Sequence, residues 1–227
     1  MKHVFIAGNW KSNKTIAESI AWVAQLKEQC ASLQVKWDAV TVVVCVPYTV
    51  LLTVKEELRA ASLPVAVAAQ DVSEFGEGAY TGEVTGKMIK EAADWVVIGH
   101  SERRKYFGET DEILKKKTEK ARSAGLKVIY CVPDGLAPVP DGVEVVAYEP
   151  VWAIGTGKTD SPQNANAVVS TIKSKTRASI VMYGGSVTPE NVATFVDKPA
   201  IDGVLPGGAS LIAETYAHLI AAAVGNP

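Results

Sequence analysis

The segment Val143-Glu144-Val145-Val146-Ala147-Tyr148-Glu149-Pro150-Val151-Trp152-Ala153-Ile154-Gly155-Thr156-Gly157-Lys158 opens as an apolar run and ends its strand on a carboxylate, Glu149. A stiff Pro150-Val151-Trp152 follows at once, and then a pliant Gly155-Thr156-Gly157. A base on a rigid strand, joined to a loop with a stiff stem and a flexible tip, suits proton transfer under a closing lid. A surface turn after a buried strand is the plainer alternative, and the rest of the chain decides between them.

Working outward, similar apolar runs recur. Strands are expected at 4–10, 39–46, 65–70, 95–100, 127–132, 143–149, 179–183 and 203–205. Most are continuous Val/Ile/Ala without polar alternation, as a parallel sheet covered on both faces requires. Amphipathic helices are expected at 16–32, 50–61, 85–92, 111–123, 162–175, 189–196 and 210–223. Asp160-Ser161-Pro162 and Thr188-Pro189 place a capping oxygen before a first-turn proline, and Gly125 stands where a helix C-cap belongs. Strand and helix in alternation predict an α/β fold, a (β/α)8 barrel forming one domain over residues 1–227. The polar and glycine-rich groups follow the strands, at the end of such a barrel that carries chemistry.

One connection departs from the pattern. Between the fifth and sixth strands lies only Pro133-Asp134-Gly135-Leu136-Ala137-Pro138-Val139-Pro140-Asp141-Gly142. A parallel crossover normally takes a dozen or more residues and a helix. About ten residues at roughly 3 Å each can still run back along a strand when extended. A short Pro-rich connector is therefore expected in place of the fifth helix, with the outer faces of these two strands covered by long side chains or another subunit.

The chain has 227 residues, 48% hydrophobic and 21% charged, with net charge −2. That suffices for one substantial core. The densest basic run, Lys115-Lys116-Lys117, lies in an expected helix near Glu112 and Glu119, so it reads as a solvated face and not as a nucleic-acid site. Cys30, Cys45 and Cys131 are odd in number and far apart, which fits buried thiols in a reducing cytoplasm. His3, His100 and His218 lack metal spacing. No signal-peptide pattern or membrane-length apolar run is present.

Five segments stand at strand ends: Gly8-Asn9-Trp10-Lys11, Gly99-His100-Ser101-Glu102-Arg103-Arg104, the Glu149 segment, Tyr183-Gly184-Gly185-Ser186, and Gly207-Gly208-Ala209-Ser210. With Ala68-Ala69-Gln70-Asp71-Val72 through Gly78-Ala79-Tyr80-Thr81-Gly82-Glu83, they resemble the triosephosphate isomerase family from about residue 4 to about residue 212. Each piece alone is a modest signal; six in order are specific. The resemblance implies a TIM barrel and a cytoplasmic isomerase of glycolysis and gluconeogenesis, interconverting dihydroxyacetone phosphate and D-glyceraldehyde 3-phosphate through an enediolate.

It further implies Glu149 as the base, swinging toward substrate as the lid closes, and His100 as a neutral electrophile. That pairing in triosephosphate isomerase is itself a standard worked example of tuned acid–base chemistry. Lys11 supplies a fixed positive charge, and Asn9 donates to substrate or positions Lys11. The phosphate would lie on backbone N–H groups of Gly155, Ser186, Gly207 and Gly208, although glycines also serve tight turns. Glu102 is either a catalytic neighbour of Lys11 and His100 or a helix-start carboxylate. Trp152 and Tyr183 are expected as support. No cofactor or metal is implied. The loop from Asp71 to Gly82 implies a homodimer, with Thr81 beside the partner's active site, and no membrane partner.

Two positions depart from the family. Cys131-Val132-Pro133-Asp134 stands where Cys-Ile-Gly-Glu is usual, which puts the reach of the shorter Asp134 to Trp152 in question. Pro206 replaces a common Val and has no N–H to give a strand, which puts the direction of Gly207 and Gly208 in question. A different barrel enzyme on a sugar or indole phosphate would share the phosphate grip but leave Asn9, Lys11, His100 and Glu149 unexplained. A non-catalytic or weakly active phosphate-binding minimised barrel is the other alternative.

Overall fold

In a computed structural model, which describes residues 2–152 and 159–225, eight parallel strands close into a barrel in chain order. They are β1 Val4–Asn9, β2 Val40–Val46, β3 Val65–Ala69, β4 Trp95–Ile98, β5 Lys127–Val132, β6 Val145–Tyr148, β7 Ile180–Tyr183 and β8 Gly203–Val204. The helices are α1 Ile16–Ser32, α2 Leu51–Ala60, α3 Gly86–Ala92, α4 Ser101–Phe107, α5 Asp111–Ser123, α6 Pro162–Lys175, α7 Val192–Val196 and α8 Ala213–Ala223. Successive strand residues point to opposite faces. Phe5, Ala7, Val43, Ile129 and Met182 therefore fill the barrel interior, while Val4, Ile6, Val42 and Tyr130 meet the helices. Both faces are buried, which accounts for the unbroken apolar runs.

Helix ends follow local chemistry. Thr15 and Glu18 form a reciprocal capping box on α1, and Ser161 Oγ accepts the Asn164 N–H at 3.1 Å ahead of Pro162 in α6. The α7 start differs from the expected 189. Asn191 Oδ1 accepts the Thr188 N–H at 2.9 Å, so residues 189–191 form a turn and the helix begins at Val192. Likewise a 3-10 turn at Gly208–Ser210 delays α8 to Ala213.

Strand β8 stops at Val204, one residue short of expectation. The Leu205 N–H still donates to Tyr183 O at 2.8 Å, and Asn9 N–H donates to Pro206 O at 2.8 Å. In a parallel strand one residue's N–H and C=O face the same neighbour. Residue 206 therefore faces β1, and proline supplies the acceptor while lacking the donor that would extend the ladder.

Residues 133–144, joining β5 to β6, contain no helix. The start of this connector folds on itself, because Asp134 Oδ1 accepts the N–H groups of Leu136 and Ala137 at 2.7 and 2.9 Å. That carboxylate thus closes its own turn. The connector also rests directly on α6: a Cβ on Gly135 would lie 3.2 Å from Thr171 Cγ2. Outward-facing Tyr130 and Tyr148, both buried, complete the cover together with Val169 and Ile172 of α6. The three cysteines are buried and free, and burial pushes the thiols of Cys30 and Cys45 up to about 12.

Candidate active site

The C-terminal ends of the strands surround a cavity of about 440 Å³. Asn9, Lys11, His100, Glu149, Ser186, Gly207 and Gly208 all line it, so the barrel brings together the candidates drawn from four separate strand-end segments and the Glu149 segment. Gly155 lies outside the described residues. Glu102, Trp152 and Tyr183 are not in the cavity wall: Glu102 reaches it through Lys11, Tyr183 is buried behind it, and Trp152 is 55% exposed.

Lys11 sits just past β1 with φ +52°, a left-handed conformation that strains a non-glycine residue. Its own N–H donates to Asn9 Oδ1 at 2.9 Å, and its Nζ lies 2.5 Å from Glu102 Oε1. Gln70, immediately after β3, clasps the same turn. Its Nε2, which carries two hydrogens, lies 2.8 Å from Lys11 O, 3.0 Å from Cys45 O and 3.2 Å from Asn9 Oδ1, so its two donors are shared among three acceptors. Sequence reasoning placed Gln70 in a matching motif but gave it no role. The available signal was a polar amide at a strand end on the reactive rim.

His100 caps α4, with Nδ1 accepting the Glu102 N–H at 3.2 Å. A nitrogen that accepts carries no proton, so a neutral ring has its hydrogen on Nε2. The Glu102 carboxylate is 3.8 Å from Nδ1, too far for a hydrogen bond. Nε2 faces Glu149 Oε1 at 3.0 Å.

Glu149 follows β6, only 2% exposed. Its Oε2 accepts the Ser101 N–H at 2.7 Å. Burial pushes its carboxyl pKa up; His100, the Ser101 N–H and Lys11 pull it back only in part. A carboxylate poised this way is a better proton acceptor than one in water. Among the described residues, no group of His, Cys, Asp and Glu is arranged to hold a metal ion.

On the β7 side, Tyr183 stacks on Phe195 with centroids 4.2 Å apart. Its hydroxyl accepts the Asp160 N–H at 3.0 Å. A Cβ on Gly185 would fall 2.1 Å from that hydroxyl oxygen, so only glycine lets the turn fold over Tyr183.

A (β/α)8 barrel whose rim gathers a buried carboxylate, an imidazole, an ammonium and glycine-rich turns carries the groups that acid–base chemistry uses. The comparisons narrow that class. Residues 4–223 match the family model described as triosephosphate isomerase. A triosephosphate isomerase from Trichlorobacter lovleyi is 41% identical, over 97% of this chain and 98% of the relative. One from Alkaliphilus metalliredigens is 38% identical over 97% and 99%. The crystal structure of triosephosphate isomerase from Bartonella henselae superposes with a TM-score of 0.82 at 28% identity, covering 97% of this chain and 98% of that one. This chain belongs to the triosephosphate isomerase family.

Proposed function

We propose that this chain interconverts dihydroxyacetone phosphate and D-glyceraldehyde 3-phosphate, with Glu149 as the proton-transferring base. Glu149 takes a proton from the carbon beside the substrate carbonyl and returns it to the neighbouring carbon. Between the two transfers an enediolate exists. His100 donates from Nε2 to its oxygens, and the Lys11 ammonium offsets the developing charge. Asn9 holds Lys11 in its left-handed turn and offers its amide to substrate. The phosphate lies on the N–H groups of Ser186, Gly207 and Gly208.

The observation that carries this reading is the 3.0 Å approach of His100 Nε2 to Glu149 Oε1 in one cavity with Lys11. Glu149 is held by Ser101 and His100 and must exchange both contacts for substrate, which is the swing the family resemblance implies. The test is coupled isomerase turnover by wild type and Glu149→Asp. Shortening the side chain by one methylene withdraws the base by about 1 Å, a misplacement that costs on the order of a hundredfold in kcat. Phosphate binding without wild-type turnover would instead favour a non-catalytic barrel.

Residues 1–227 are read as one cytoplasmic domain, and no described helix is long and apolar enough to cross a membrane. A homodimer forms through the loop 71–82, with Thr81 beside the partner's active site. In support, the loop's exposed Phe75 and Tyr80 stack at 4.2 Å. Its base is pinned where Asp71 pairs with Lys117 and Arg103. A solution mass of one chain would remove the dimer.

A further inference from the structure

We propose that Asp160 is a positioning residue for the isomerisation: its buried carboxylate ties the start of α6 to the strand that carries Glu149. The proposal rests on the isomerase reading above. Asp160 is 4% exposed, and a carboxylate so buried must be held by donors. It is held by three. Tyr148 Oη donates to Oδ2 at 3.4 Å, Ser161 N–H to Oδ1 at 2.7 Å, and Asn164 Nδ2 to both oxygens at 3.0 and 2.8 Å. Its own N–H goes to Tyr183 Oη.

These partners come from different elements. Tyr148 is the last residue of β6 and is bonded directly to Glu149. Tyr183 ends β7, ahead of the Gly184-Gly185-Ser186 turn. Asn164 stands in the first turn of α6. Asp160 thus joins the start of α6 to the strand ends that hold the base and the candidate phosphate turn. Capping α6 would not need it, because Ser161 already accepts the Asn164 N–H. The extra carboxylate reaches past the helix to Tyr148, and that reach distinguishes positioning from capping.

Loosening this tie lets the base and the start of α6 drift apart while the enediolate exists. The enediolate then expels inorganic phosphate as its carbon–oxygen bond to the phosphate breaks. The resulting enol becomes methylglyoxal by taking a proton on carbon. Isomerisation and phosphate release therefore report on positioning separately from folding.

The experiment compares full-length wild type, Asp160→Ala, Tyr148→Phe and Ser161→Ala for kcat, KM, methylglyoxal yield per turnover and Tm. Asp160→Ala is expected to lower kcat about threefold, the effect of losing one long, weak hydrogen bond to Tyr148, with KM little changed and methylglyoxal yield raised. Tyr148→Phe shifts both in the same direction, and the double variant is no worse than Asp160→Ala, because one link is cut twice. Ser161→Ala lowers Tm alone. Should Asp160→Ala fail to fold, Tyr148→Phe carries the test by removing only the hydroxyl. Wild-type turnover together with an unchanged kcat and methylglyoxal yield in these variants overturns this inference alone. Absence of wild-type turnover overturns it together with the isomerase reading.

Discussion

Gln70→Leu removes one amide that holds three oxygens at the mouth of the barrel. Two of those oxygens keep other donors: Asn9 Oδ1 still receives the Lys11 N–H, and Cys45 O still receives the Trp10 N–H at 3.0 Å. Lys11 O is the one that depends most on Gln70, at 2.8 Å. Losing one good and two weaker neutral hydrogen bonds costs about 2 kcal/mol, which for a chain of this size lowers Tm by about 4–8 °C. The kinetic effect comes through Lys11. Its φ of +52° stores about 1–2 kcal/mol of strain, and the Gln70 contact to its carbonyl helps hold that conformation. Once released, the turn relaxes and the ammonium leaves its place near Gly207, so kcat/KM falls by about tenfold. Urea denaturation with steady-state kinetics on the same preparation checks both parts. A variant that loses the expected stability yet keeps wild-type kcat/KM would refute the link from Gln70 through Lys11 to the site.

Other outcomes follow from the same geometry. Gly185→Ala places a methyl against the Tyr183 hydroxyl, 2.1 Å from an ideal Cβ, so the turn or the stacked ring must move; KM for the triose phosphate should rise several-fold, and an unchanged KM would show that Ser186 does not contact substrate. Because burial raises the Glu149 carboxyl above its ordinary 4.5, the native state keeps that proton to higher pH than the unfolded chain. Its stabilising contribution is complete below about pH 4.5 and is lost as pH rises through the raised value. Glu149→Gln should therefore gain stability relative to wild type as pH increases across that window, and parallel curves of stability against pH would contradict the assignment. The acid limb of wild-type kcat/KM should likewise fall at an apparent pKa above 4.5.

Much of the architecture could be read before any coordinates. Runs such as Val42 to Val46 and Val128 to Val132 are apolar on both faces because sheet and helices bury both, which marks a parallel sheet; the eight-fold alternation with helices marks the barrel. The bounds of α1, α5 and α6 were legible for the same kind of reason: Thr15, Thr110 and Ser161 each accept a backbone N–H at the helix start. Thr188-Pro189 carried the same signature and did not start a helix, because Asn191 reaches back to the Thr188 N–H first. That competition depends on side-chain direction, which a residue pattern does not contain. At the site, Asn9, Lys11, His100 and Glu149 are legible because they stand at or just past strand ends. Gln70 also ends a strand run, but its role and that of Asp160 cannot be read from the pattern, since their partners lie on other strands and helices and meet only when the barrel closes. Pro206 looked incompatible with a central strand, yet its carbonyl alone is enough to hold Asn9.

The central claim is that one carboxylate and one neutral imidazole act on the same small phosphate. A crystal structure with a phosphorylated hydroxamate that mimics the enediolate tests it most directly. The expected result is Glu149 turned away from the Ser101 N–H onto the ligand's carbon edge, His100 Nε2 on its paired oxygens, and the phosphate against Ser186, Gly207 and Gly208. A ligand bound with Glu149 still on Ser101, and with His100 contacting no ligand oxygen, would contradict the account.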